Sequence, residues 1–176
     1  GHGVPGGFLT MMGINFLNDI VERKEILTTA QALEKLRSKI KHVFRHSDKH
    51  DGIDMALCAY NTNTNVLQFS GAFLPLILIR NNEIIEKSCV RTPVSFHYNE
   101  LRFVTHEFKI QNNDCVYIYS DGYPDQFSSH NRRKYRHRNF KNLLLETSSY
   151  TLQKQQVKIL AEFYNWKGTE EQTDDV

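Results

Sequence analysis

The stretch Asp114-Cys115-Val116-Tyr117-Ile118-Tyr119-Ser120-Asp121-Gly122 decides how the rest of the chain is interpreted. Residues 114–119 are rich in β-branched and aromatic side chains and are bounded by turn residues, so they predict a strand. The Ser120-Asp121-Gly122 that follows has two interpretations. Asp121 either bonds its own backbone in a turn, or presents a carboxylate to a hard cation from the rigid end of a strand.

The region before this strand has the spacing of an antiparallel meander. Short apolar runs alternate with turn residues, and Asn81-Asn82 between two such runs predicts a tight hairpin, because Asn tolerates a left-handed backbone. The predicted strands are residues 54–60, 66–70, 76–80, 83–87 and 103–110.

Helices are predicted on both sides of the strands. Apolar residues recur at helical spacing in residues 5–23, 29–44, 140–147 and 152–166. Gly168 is predicted to end the last helix. The predicted inward face of that helix consists of Val157, Leu160, Ala161 and Tyr164. This order of elements predicts an α+β fold, with helices covering antiparallel sheet.

Length and composition indicate one globular domain over residues 1–176, with 40% hydrophobic and 24% charged residues. A formal net charge of +2 is too small to indicate a nucleic-acid partner. No segment reaches the roughly 18 apolar residues of a membrane helix, and no secretory signal is evident. The expected location is the cytoplasm, with or without a tether through a larger protein. The dense basic run at residues 132–138 is either a solvated loop or a patch for an anionic substrate or partner.

Three features far apart in the chain have the composition of a cation site. They are the glycine-rich start at residues 1–6, the strand-end Asp121-Gly122 and the pair Asp174-Asp175. Mg²⁺ and Mn²⁺ prefer oxygen ligands, and Mg²⁺ usually keeps several waters, so carboxylates on separate elements can hold such ions. Acidic pairs are also common on solvated surfaces. The residue types alone leave both interpretations open.

Six short motifs occur in the order found in SpoIIE-type phosphatases, which the chain resembles over essentially its whole length. These enzymes are the bacterial branch of the metal-dependent type 2C protein serine/threonine phosphatases. The motifs are Gly1-His2-Gly3-Val4-Pro5-Gly6-Gly7-Phe8, Asp51-Gly52-Ile53-Asp54-Met55-Ala56-Leu57-Cys58, Phe69-Ser70-Gly71-Ala72 with Pro75-Leu76, Tyr119-Ser120-Asp121-Gly122-Tyr123-Pro124-Asp125-Gln126-Phe127, Trp166-Lys167-Gly168 and Gln172-Thr173-Asp174-Asp175-Val176.

The resemblance implies a four-layer αββα arrangement, an antiparallel β-sandwich flanked by helix pairs, with two Mn²⁺ or Mg²⁺ ions at one end of the sheets. It implies that Asp121 and Asp174 bind metal, with Asp175 as the alternative to Asp174. The ions then activate a water that attacks the phosphorus of phosphoserine or phosphothreonine, without a covalent enzyme intermediate.

Other residues near the implied site have two interpretations each. His2 is either a general acid for the leaving group, because imidazole titrates near neutral pH, or a residue without a chemical role. Asp54 either lines the rim of the metal end or is an ordinary strand-edge residue. Asp125 and Gln126 either cap the Ser-Asp-Gly loop or touch metal-bound water. The loop residues expected beside the metal site are Gly1, Gly3, Gly122 and Asp125.

Two expectations concern the ends of the chain. In the resembling family the first metal-binding aspartate precedes the Gly-His-Gly motif, and a further strand follows Asp-Asp-Val. The fold is therefore expected to be incomplete at both ends, and residues 1–176 alone to bind Mn²⁺ weakly and be nearly inactive. Exposed strand edges at such ends would favour a homodimer.

Two functions of different classes follow from the resemblance. The first is a phosphatase that acts on a phosphoprotein as the output module of a bacterial signalling protein, with a sensor or transmembrane domain upstream. The second is a non-catalytic regulatory or interaction module of the same fold.

Overall fold

The computed structural model describes residues 3–23, 28–45 and 52–176. The chain divides into two compact units, residues 1–76 with 87–112 and residues 77–86 with 113–176. The prediction of one domain stays a prediction. In chain order the elements are α1 Gly3–Glu22, α2 Thr29–Val43, β1 Met55–Asn61, β2 Val66–Ala72, β3 Leu76–Arg80, β4 Glu83–Lys87, β5 His106–Lys109, β6 Cys115–Ile118, α3 Gly122–Asp125, α4 His137–Thr147 and α5 Leu152–Lys167.

The first unit packs α1 and α2 with an antiparallel sheet of strand order β1-β2-β5. Thr28 caps α2 through a capping box, in which its side chain accepts from the Gln31 N–H and the Gln31 side chain bonds back to the cap. The apolar stripe of α2, which includes Leu33, Leu36 and Ile40, is buried in the core of this unit. The predicted strand at residues 103–110 shortens to β5, and Phe103 lies before this strand in the same core.

The second unit contains a sheet of strand order β4-β3-β6. Asn81 and Asn82 join β3 to β4 with φ values of 50° and 62°, which confirms the predicted hairpin turn. The Tyr123 ring is central to the core, with its centroid 4.6 Å from that of Phe140 and 5.0 Å from that of Phe163. This aromatic cluster packs α3, α4 and α5 together.

The predicted inward face of α5 is wrong. Val157 and Tyr164 are 67% and 62% exposed, whereas Phe163 is buried. The four predicted core residues, all of which are exposed, are Val157, Leu160, Ala161 and Tyr164. Apolar side chains occur on two faces of this helix, and periodicity cannot tell which face packs. The contact of Phe163 with Tyr123 selects the other face.

Residues 171–176 contain no strand, and the strand predicted to follow the Asp-Asp-Val motif stays a prediction. Among the helices in the described ranges, none combines the length and apolar composition that crossing a membrane requires.

Gly168 ends α5, as predicted, with φ 54° and ψ −122°, a conformation that a residue with a Cβ rarely adopts. A Cβ at this position would also overlap the Ser129 hydroxyl.

We expect Gly168→Ala to lower the free energy of unfolding by about 1–3 kcal/mol, measured by chemical denaturation followed by circular dichroism. The control is Gly7→Ala in α1, where a Cβ would meet no described atom within 4 Å apart from the neighbouring backbone of its own helix. The added Cβ should stabilise the protein by about 0.5–1 kcal/mol. An unchanged stability of Gly168→Ala would contradict the prediction.

Candidate functional site

Asp121 follows β6 and is the N-cap residue of α3. Its backbone oxygen accepts the N–H of Asp125 at 2.9 Å, which closes this single helical turn. Its side chain makes no cap hydrogen bond, and among the described residues nothing donates to its exposed carboxylate. The structure therefore does not show the turn in which Asp121 bonds its own backbone.

The segment that carries Asp174 and Asp175 passes directly beside Asp121. The Ser120 hydroxyl donates to the backbone oxygen of Asp175 at 2.8 Å. A Cβ at Gly122 would overlap that same oxygen and lie 3.5 Å from the carbonyl carbon of Asp174. The missing side chain of Gly122 thus lets the segment lie against the residue that follows Asp121. The fold of the second unit brings together the carboxylate residues that the sequence separates.

Gln126 holds the same segment on the buried side. Its side chain is fully buried, its amide nitrogen donates to the Glu171 backbone oxygen at 2.9 Å, and its Oε1 accepts the N–H of Thr173 at 3.4 Å. An amide carries both a donor and an acceptor, so one side chain can satisfy two backbone groups. We call this arrangement the Gln126 clamp.

The two C-terminal aspartates are both exposed and differ in their partners. Asp174 Oδ1 accepts the N–H of Asp175 at 2.8 Å, and the Gln172 amide donates to the Asp174 backbone oxygen at 2.8 Å. No described residue bonds the Asp175 carboxylate. Asp174 therefore has one carboxylate oxygen engaged within the segment, and Asp175 has none.

The donor set fits a hard divalent cation in part. Asp121, Asp174 and Asp175 supply carboxylate oxygens, the ligands that Mg²⁺ and Mn²⁺ prefer. Within residues 3–23, 28–45 and 52–176, however, no group of three or more His, Cys, Asp or Glu side chains is placed to hold an ion. An ion bound here would complete its coordination with waters, several of which Mg²⁺ usually keeps, or with ligands outside the described ranges.

Three of the predicted loop residues lie in helices. Gly122 and Asp125 are the first and last residues of α3, because the bond from Asp125 to Asp121 closes a helical turn. The Asp125 carboxylate pairs with the Lys134 ammonium at 2.6 Å. Gly3 is the first residue of α1. Pro5 is compatible with this start, because it lies in the first turn, where a backbone N–H has no helical partner.

The remaining predicted site residues are Gly1, His2 and Asp54. Gly1 and His2 lie outside the described residues. Asp54 is exposed and directly precedes β1 in the first unit.

Two buried tyrosines support α3, because Tyr123 lies within it and the Tyr135 ring packs against the Tyr123 ring with centroids 5.1 Å apart. The Tyr123 hydroxyl donates to the Ile159 backbone oxygen at 2.9 Å. Burial raises the pKa of Tyr123 far above its usual range, and burial also raises the pKa of Tyr135. Both hydroxyls therefore stay protonated at neutral pH.

The sequence did not single out Ser120, although it makes the contact that joins the two aspartate segments. A serine before Asp-Gly is typical of a turn. No local sequence pattern distinguishes a serine of this kind from one whose hydroxyl bonds a distant backbone group. The Gln126 side chain does not cap the Ser-Asp-Gly loop, because its described partners are the backbone of Phe127 and of the distant segment at residues 171–173.

Comparisons with known proteins give a consistent result. The family model of Stage II sporulation protein E (SpoIIE) matches residues 1–176. No curated protein matches the chain. Among solved structures, the SiaA-PP2C domain of Pseudomonas aeruginosa is 21% identical with a TM-score of 0.86, and the match covers 99% of this chain and 68% of that chain.

A second solved structure contains the PP2C phosphatase domain and a fragment of the regulatory domain of the cell fate determinant SpoIIE from Bacillus subtilis. It is 13% identical with a TM-score of 0.71, and the match covers 96% of this chain and 47% of that chain. These likenesses confirm the predicted α+β fold of antiparallel sheets and helices. Because the family model spans every residue, the chain belongs to the SpoIIE family, whose fold is that of the PP2C phosphatase domains.

Proposed function

We propose that the chain is the catalytic domain of a metal-dependent phosphatase that acts on phosphoserine or phosphothreonine in proteins. The observation that carries this proposal is the contact of Ser120 and Gly122 with Asp175, which places the Asp174-Asp175 segment next to Asp121. In a member of a phosphatase family, two aspartate-bearing segments that lie side by side at a strand end favour phosphoryl chemistry over a solvated acidic surface.

Asp121 and either Asp174 or Asp175 would hold two Mn²⁺ or Mg²⁺ ions. When bound, such ions polarise a phosphoryl oxygen and lower the pKa of a bound water. The other residues of the site position these ligands. Ser120 and the Gln126 clamp fix the backbone of the C-terminal segment. Positioning and electrostatic stabilisation are the main contributions that phosphoryl transfer requires from a protein.

The proposed partners are a phosphorylated protein substrate and an upstream sensor or transmembrane domain in a bacterial signalling protein. The Bacillus subtilis structure, which combines a phosphatase domain with a regulatory fragment, supports an arrangement of this kind. A cytoplasmic location, a general-acid role for His2, a rim position for Asp54 and a homodimer through exposed strand edges complete the proposal.

Metal removal tests the proposed function. We expect EDTA to abolish hydrolysis of p-nitrophenyl phosphate by the full-length protein and Mn²⁺ to restore it, because the carboxylates alone cannot neutralise phosphoryl charge. Phosphoserine and phosphothreonine peptides should be hydrolysed faster than a phosphotyrosine peptide of the same sequence. A rate that EDTA leaves unchanged would exclude the metal-dependent mechanism. Inactivity at saturating Mn²⁺ would leave the non-catalytic regulatory module as the function.

A further inference from the structure

The basic run forms one wall of a pocket that the proposed chemistry does not use. The pocket lies in the second unit and has a volume of about 510 Å³. Its lining combines three asparagine side chains and the Trp166 ring with four basic side chains, Arg133, Lys134, Arg136 and Arg138. We call this cavity the basic pocket.

The charges of the basic pocket are mostly uncompensated. Lys134 pairs with Asp125 at 2.6 Å, whereas Arg133, Arg136 and Arg138 form no ion pair with any described carboxylate. Like charges that share one cavity repel each other, and an anion relieves that repulsion. A guanidinium also presents several N–H donors in a planar fork that matches a carboxylate. The pocket therefore has the chemistry of an anion site.

The backbone of the basic run is held in place, unlike that of a loose solvated loop. The Arg136 N–H donates to the Pro124 backbone oxygen at 2.7 Å, and the Tyr135 N–H donates to the Gln126 backbone oxygen at 3.0 Å. The Trp166 indole N–H donates to the same Gln126 oxygen at 3.0 Å. These bonds attach both the basic wall and the tryptophan to the segment that follows Asp121. They favour the second interpretation of the run, an anion-receiving patch.

We propose that the basic pocket binds an acidic segment of the protein substrate, a stretch of Asp and Glu residues separate from the phosphorylated residue. The proposal rests on the proposed function, because Asp121 directly precedes α3, and Pro124 and Gln126 at the end of this helix hold the basic wall of the pocket. A docked segment would raise the local concentration of the phosphorylated residue at the candidate site. Nucleic acid is a poorer match, because the formal net charge is +2 and the pocket offers one aromatic ring where strand binding uses several.

Trp166 makes the proposal directly measurable, because it is the single tryptophan of the 176-residue chain and it lines the pocket. Titration with an octaglutamate peptide at low ionic strength should give a saturable change in tryptophan fluorescence. The double variant Arg133→Gln/Arg138→Gln should bind about tenfold more weakly. The matched control is Arg132→Gln, which removes a charge from the same run outside the pocket lining. It should change the dissociation constant by less than about twofold.

Thermal denaturation of each variant separates lost binding from lost folding, and a variant that melts like the parent chain is compared directly. The titration needs neither metal nor turnover, so its result is independent of the EDTA experiment. The proposal is overturned by the absence of saturable binding, by equal weakening in Arg132→Gln, or by tighter binding of inorganic phosphate or a single-stranded oligonucleotide than of octaglutamate. Selective weakening in the double variant supports binding of an acidic segment, and the EDTA experiment decides separately whether the protein that carries this segment is a substrate.

Discussion

Replacement of Asp121 by asparagine should lower Mn²⁺-dependent hydrolysis of p-nitrophenyl phosphate by the full-length protein at least about a hundredfold. The amide keeps the size of the side chain and removes its charge. Nothing among the described residues bonds the Asp121 carboxylate, so the fold loses no contact. The free energy of unfolding should therefore change by less than about 0.5 kcal/mol, while calorimetry should show weaker Mn²⁺ binding.

Glu171→Gln is the matched control for this variant. Glu171 is exposed and lies in the C-terminal segment, and its contact with the Gln126 clamp uses only its backbone oxygen. Its replacement should change the rate by less than about twofold. Comparison of Asp174→Asn with Asp175→Asn then identifies which of the two aspartates is the ligand. Equal rates for Asp121→Asn and the unaltered protein would remove Asp121 from the mechanism.

Gly122→Ala should separate the two carboxylate segments without unfolding the second unit. The added Cβ would overlap the backbone oxygen of Asp175 and lie 3.0 Å from its carbonyl carbon. Backbone atoms cannot rotate away as a side chain does, so the whole segment must shift. A displacement of about 1 Å in a catalytic arrangement can cost about a hundredfold in rate. We expect a loss of that order in hydrolysis of p-nitrophenyl phosphate.

Ser120→Ala is the comparison that isolates the cause. It removes the bond to Asp175 but adds no atom, and a net hydrogen bond contributes only about 0.5–1.5 kcal/mol. Its rate should fall less than about tenfold, and less than that of Gly122→Ala. If both variants lost the same activity, the lost hydrogen bond rather than steric displacement would explain the effect of Gly122→Ala.

The parts of the fold that depend on short-range patterns could be predicted from the sequence. The strands β3 and β4 and their Asn81-Asn82 turn match the predicted bounds. The two short apolar runs and the turn residues between them lie within a dozen residues, so the pattern is local. The buried face of α5 could not be predicted, because both of its faces carry apolar residues and the choice depends on Tyr123, which lies far away in the chain.

The candidate site divides in the same way. The sequence identified Asp121, Asp174 and Asp175 as oxygen donors, because the residue types and the family resemblance name them. It did not predict α3, which depends on one backbone bond between Asp121 and Asp125. Nor did it identify Ser120 as the residue that joins the segments, because the Ser120 hydroxyl bonds the backbone oxygen of Asp175, which is distant in the sequence.

The Gln126 clamp has a consequence for how this segment can vary. It bonds a backbone oxygen at Glu171 and a backbone N–H at Thr173, and no side-chain atom of either residue. The path of the chain toward Asp174 is thus fixed independently of which residues occupy positions 171 and 173. Proline at position 173 is the exception, because it has no N–H to donate. Other substitutions at these two positions should leave the path of the segment toward the aspartates unchanged. Replacement of Gln126 should not, because its side chain makes both bonds.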